Sequence, residues 1–117
     1  MKVYAFDVDD TLNGFGGPIP LYTLCDLKNA GHIVGICGNW QVFCSSVSDW
    51  HQYISFLSVG LAKDSWLSHF KEMLPQYEDY ILVGNRAGVT GASDDEGAAK
   101  RSGWRFIGER EFANGER

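Results

Sequence analysis

Val3, Tyr4, Ala5, Phe6, Asp7, Val8, Asp9, Asp10, Thr11 and Leu12 join an apolar run to a cluster of carboxylates, and this stretch decides the fold. The apolar run reads as a buried strand, and the acids as the turn that leaves it. In an open parallel α/β sheet, ligands bind beyond the carboxyl ends of the strands, and residues two apart in extended chain project to the same side. Asp7 and Asp9 are therefore expected to face one ligand together. Such a pair repels itself unless it shares a proton or a cation, which suits it to general acid/base work or to Mg²⁺. Asp is also a common turn residue, so the rest of the chain must carry the argument.

Downstream, Asn13, Gly14, Phe15, Gly16, Gly17, Pro18, Ile19 and Pro20 forbid regular helix and predict a small flap or hairpin beside the acids. Leu21, Leu24, Leu27 and Lys28 follow at helical spacing, Gly31 stops that helix, and Ile33, Val34, Gly35, Ile36 and Cys37 form a second apolar strand. The pattern then predicts a helix over residues 40–53, a strand over 54–61, a helix over 64–74, a strand over 80–83, a helix over 95–102 and a last short strand over 104–107. The polar tail Asn114, Gly115, Glu116 and Arg117 is expected to fray. Strands separated by single helices give an α/β three-layer sandwich around a central, mainly parallel five-stranded sheet. No internal repeat or low-complexity segment interrupts the pattern.

Its 117 residues suit one domain with one packed core. A hydrophobic share of 44% and a charged share of 21% are those of an ordinary soluble globule, which argues against disorder. A net charge of −5 without a dense Lys/Arg run argues against a broad grip on nucleic-acid backbone. Cys25, Cys37 and Cys44 match no zinc or redox spacing, and His32, His51 and His69 are scattered, so reduced thiols in a cytoplasmic protein without zinc are expected. The chain enters a strand at once, with neither a signal peptide nor a membrane span in view.

The apolar strand followed by Asp7, Asp9 and Thr11 resembles the DxDxT motif of the haloacid dehalogenase superfamily of phosphohydrolases. That family adds a Ser or Thr at the end of the second strand, a Lys ahead of the fourth strand and acids after the fourth. Here Lys63 precedes a helix ahead of Val83, Gly84 and Asn85, and Asp95 opens a later helix, with Asp94 the neighbouring alternative. The resemblance covers nearly the whole chain and implies a Rossmann-like core. It implies that Asp7 attacks phosphorus to form an aspartyl-phosphate, and that Asp9 protonates the leaving oxygen and then activates water. It also implies Mg²⁺ held by the Asp7 carboxylate, the Asp9 backbone carbonyl, Asn85 and Asp95, and phosphate contacts from Thr11, Gly38, Asn39 and Lys63. A carboxylate meeting a phosphate dianion is repelled by about 4 kcal/mol per charge pair at roughly 4 Å and an effective dielectric near 20, so cations are required.

The departures from the family pattern are specific. Cys37, Gly38 and Asn39 offer no hydroxyl at the second strand's end, leaving backbone N–H groups and the Asn39 amide as donors. Asn85 stands where an Asp is usual, which removes a negative charge from the metal site. Residues 86–93 lengthen the gap to Asp94, as a glycine-bearing loop that would carry Arg86 to substrate. Neither place where the family inserts a cap domain has room for one. An uncapped site suits a phosphate on a large molecule, or a small one gripped by the flap, with Phe15 as contact, or by a second subunit of a homo-oligomer. Trp40, Trp50 and Trp66 are expected to pack rather than stack on bases. Two other readings use the same acids. One is a catalytically impaired member that binds phosphate or a partner protein. The other is a receiver-type signalling module, against which stands the lack of a lone Asp at a middle strand end.

Overall fold

A computed structural model of the chain describes residues 1–58, 62–88 and 94–117. Strand β1 (Lys2–Phe6) lies at the centre of a five-stranded sheet, paired on one side with β2 (Ile33–Cys37) and on the other with β4 (Asp79–Gly84). The edges are β3 (Phe56–Ser58) on β2 and β5 (Arg105–Gly108) on β4, every pairing is parallel, and the order is β3-β2-β1-β4-β5. Each connection is a crossover through helix: α1 (Leu21–Asn29), α2 (Trp40–Ser46), α3 (Lys63–Met73) and α4 (Asp95–Ser102), with α5 (Glu109–Ala113) after the last strand.

Strand alternation sorts the core into two halves. Tyr4, Phe6, Val34, Ile36, Ile81 and Val83 pack with Leu24 and Leu27 of α1, Phe43 of α2 and Phe112 of α5. Val3, Ala5, Tyr80 and Leu82 pack instead with Leu67 and Phe70 of α3 and Ala98 and Ala99 of α4. Helices therefore cover both faces, giving a Rossmann-like three-layer α/β sandwich. Successive strands grow outward from β1 to β3, then the chain returns to the other side of β1 for β4. The reversal places a crevice beyond the carboxyl ends of β1 and β4, where ligands of this architecture bind.

Some elements differ from the sequence reading. The helix expected over residues 40–53 ends at Ser46, and a separate 3-10 turn spans Trp50–Gln52. Ser45 turns its hydroxyl back to the Gln41 carbonyl at 2.7 Å, and Val47 is extended, so a run of Ser, Val and Asp stops what apolar spacing alone would continue. The third strand begins at Phe56 rather than residue 54; its expected continuation over 59–61 lies outside the described residues. Trp104 precedes β5, with its indole N–H donating to the Leu67 carbonyl at 2.8 Å. α5 was not expected; it forms because Phe112 buries its ring edge-on to Phe6, with centroids 5.2 Å apart. Trp40 and Trp50 pack on the core, whereas Trp66 remains 40% exposed. Among the described residues no helix is long and apolar enough to cross a membrane.

Candidate active site

The parity of β1 aims Asp7. Val3 and Ala5 point toward α3 and α4, so the next residue of that series, Asp7, faces the same layer, while Val8 drops into the opposite core. The Asp7 N–H extends the sheet pairing by donating to Val83 O at 2.9 Å, which fixes the carboxylate at the crevice. Lys63 is the first residue of α3 and Asp95 the first of α4. The Lys63 ammonium donates to Asp7 Oδ1 at 3.1 Å and to Asp95 Oδ1 at 2.5 Å. Residues 56 positions apart thus meet at the site anticipated for them.

Asp95 is fully buried, and its second oxygen, Oδ2, accepts the Asn85 backbone N–H at 2.9 Å. Gly84 makes this approach possible: a Cβ there would stand 2.3 Å from Asp95 Oδ2. Sequence reading missed Gly84, for which the only signal was a glycine beside Asn85. Asp94 instead caps α4, its Oδ1 accepting the Gly97 N–H at 3.1 Å. With both oxygens of Asp95 engaged by Lys63 and Asn85, its place is to hold the lysine.

The remaining expected residues have definite partners. Asp9 is exposed, and its Oδ2 accepts from the Asn39 amide at 3.2 Å. Thr11 is buried and donates its hydroxyl to the Asp9 carbonyl at 3.3 Å, inside the turn. The Gly38 N–H donates to Ser58 O at 3.4 Å, continuing the sheet. A Cβ at Gly38 would lie 2.4 Å from Asp7 Oδ1, and its φ of 150° is itself a glycine conformation, so the Asp7 carboxylate fills the space a side chain would need. Asn85 is buried, its amide nitrogen donating to the Asp10 carbonyl at 3.0 Å. Arg86 pairs with Glu111 of α5, lies 3.8 Å from Glu96 and covers the Phe106 ring at 5.1 Å. Residues 89–93 of its expected loop lie outside the described residues. Phe15 packs on Phe43, with ring centroids 5.9 Å apart.

Two carboxylates share one ammonium here, so with both acids ionised the buried group carries a net negative charge. Burial pushes the Asp7 carboxyl up to about 7; the Lys63 ammonium opposes this, and the Asp95 charge adds to it. Burial also disfavours the charged Lys63, yet Asp7 and Asp95 outweigh it and hold the lysine above its usual range. Burial likewise pushes the neighbouring Cys37 thiol up to about 11, which keeps it neutral. Asp7 Oδ2 is buried with no hydrogen-bond partner among the described residues. Such an oxygen calls for a proton or a cation. Among the described residues no three His, Cys, Asp or Glu side chains form a metal cage. Mg²⁺ needs none, since it takes one or two carboxylates and completes its shell with neutral oxygens and water. The Asp7 carboxylate, the Asp9 backbone carbonyl and the Asn85 amide oxygen fit that donor set.

No family model, no curated protein and no solved structure matches the chain. The functional reading therefore rests on the site itself.

Proposed function

We propose that this chain is a Mg²⁺-dependent phosphohydrolase that cleaves a phosphate monoester through an aspartyl-phosphate on Asp7, as its resemblance to the haloacid dehalogenase superfamily implies. The observation that carries the reading is the buried Asp7 held on one oxygen by Lys63 and, among the described residues, left without a partner on the other. A structural ion pair has no need of an orphaned oxygen at the mouth of a strand crevice; a nucleophile does. Bound Mg²⁺, held by the Asp7 carboxylate, the Asp9 backbone carbonyl and Asn85, would supply positive charge against the phosphoryl oxygens. Lys63 keeps the Asp7 carboxylate oriented and adds its own charge beside the incoming phosphate. Asp9, exposed at the rim, is placed in this reading to give a proton to the leaving oxygen and to take one from the attacking water. The Asn39 amide steadies Asp9 through the 3.2 Å bond. Turnover of an aryl phosphate with Mg²⁺ tests the proposal, and a clean preparation that hydrolyses no phosphate monoester would contradict it.

One observation favours a second reading. The Gly38 N–H and the Asn39 amide, expected to hold phosphate, are engaged by Ser58 and Asp9. A domain that binds phosphate or a partner without turnover would show saturable phosphate or Mg²⁺ binding and no product.

Gly38 separates this chain from the family pattern in a testable way. Gly38→Ser restores the hydroxyl usual in the family, yet its Cβ would collide with Asp7. We expect the serine variant to lose roughly 1–3 kcal/mol of stability through overpacking. Turnover should fall about tenfold or more as Asp7 is displaced. Urea unfolding and aryl-phosphate kinetics check both, and a serine variant faster than the parent would show that Asp7 has room to move.

A further inference from the structure

We infer that Asn85 is a positioning residue that holds the Asp10 turn, and with it Asp7 and Asp9, through the donor end of its amide. The inference deepens the phosphohydrolase reading and rests on it for its kinetic part. Asn85 is 1% exposed and faces two ways: its backbone N–H donates to Asp95 Oδ2 at 2.9 Å, and its side-chain nitrogen donates to the Asp10 carbonyl at 3.0 Å. Asp10 has a φ of 57°, a left-handed conformation uncommon outside glycine although Asp enters it more readily than most residues, and its surroundings hold it there. They do so from both sides of the residue. The Asp10 N–H donates to Phe15 O of the flap at 2.9 Å, and Asn85 grips the carbonyl.

The contacts form a closed ring. Asn85 holds Asp95, Asp95 accepts from Lys63, Lys63 donates to Asp7, and Asp7 leads in three residues to Asp10, which Asn85 holds again. The asparagine thus sets the spacing between the acidic turn and the lysine. An ionised aspartate at this position offers acceptors only. It would set a carboxylate oxygen against the Asp10 carbonyl oxygen in a buried place, beside Asp7 and Asp95, which share one ammonium. Restoring the family's usual acid is therefore expected to damage the site rather than repair it.

The test compares the full chain with Asn85→Asp and Asn85→Ala by ¹⁵N–¹H spectra and aryl-phosphate kinetics with Mg²⁺. The reporter is the Thr11 amide, which shares a peptide group with the Asp10 carbonyl. The expected result is a displaced Thr11 resonance in both variants and a kcat lower by about tenfold or more, with KM little changed, as loss of one buried hydrogen bond implies. A folded Asn85→Asp chain with the Thr11 resonance unmoved, or with a raised kcat, overturns the inference. Should that variant fail to fold, Asn85→Ala decides: a displaced resonance supports the brace, and an unmoved one overturns it. A parent chain that hydrolyses no phosphate ester removes the phosphohydrolase reading and leaves the Thr11 resonance to decide this one.

Discussion

Asp7→Asn is expected to abolish aryl-phosphate turnover, by about a thousandfold or more, while making the fold more resistant to unfolding above neutral pH. The two effects have one cause. Asp7 is buried, one of its oxygens has no partner among the described residues, and burial raises its carboxyl from the ordinary 3.8 to about 7. Between those values the folded chain binds a proton that the unfolded chain releases, so stability contributed by this group is present at low pH and is lost as pH rises toward 7. An amide never ionises and escapes the loss. With chelator present, the variant should match the parent near pH 4 and exceed it by on the order of 1–3 kcal/mol near pH 8. Unfolding by urea at the two pH values checks this, and a parent that gains on the variant as pH rises would contradict the assignment of Asp7 as a strained acid.

Lys63→Met is expected to be harmful on both counts. The ammonium lies between Asp7 and Asp95 with its side chain 10% exposed, so its removal leaves two buried carboxylates facing each other without a counter-charge. Breaking a buried pair from one side costs about 3–5 kcal/mol, and the loss should be smaller at pH 5, where Asp7 can take up a proton. Turnover should fall by about a hundredfold to a thousandfold through loss of oriented charge at the phosphoryl group. Thermal unfolding at pH 5 and pH 8, with kinetics on whatever folds, checks the expectation. A methionine variant as stable as the parent would mean that the lysine is dispensable to the acidic cluster.

The contrast between Asp94 and Asp95 shows how far residue spacing reaches. Both residues stand at the start of one helix, and Asp suits either a cap or a site. The sequence offers Asp95 as the acid of the site with Asp94 as its alternative, and the structure has Asp95 on Lys63 and Asp94 on the Gly97 N–H. The apolar strands, the turn after Phe6 and the helix over Asp95–Ser102 were readable because period and punctuation are local properties. What escaped reading depends on distant partners. α5 exists because Phe112 finds Phe6 and Tyr4, and no five-residue pattern announces that. Gly84 carries Asp95, Gly38 yields to Asp7, and Asn85 reaches Asp10; each is a contact across the sheet's carboxyl edge that only the assembled fold brings together. Arg86 meets Glu96 of α4 and Glu111 of α5, and these partners too come from elements distant in sequence.

The most direct test is chemical trapping of the covalent adduct. The chain, turning over a phosphate monoester with Mg²⁺, is quenched in acid, reduced with borohydride and digested, and the peptide spanning residue 7 is sequenced by mass spectrometry. An aspartyl-phosphate on Asp7 is reduced to homoserine at that position and nowhere else. Turnover with an unmodified Asp7 under these conditions, or homoserine at another acid, would contradict the account.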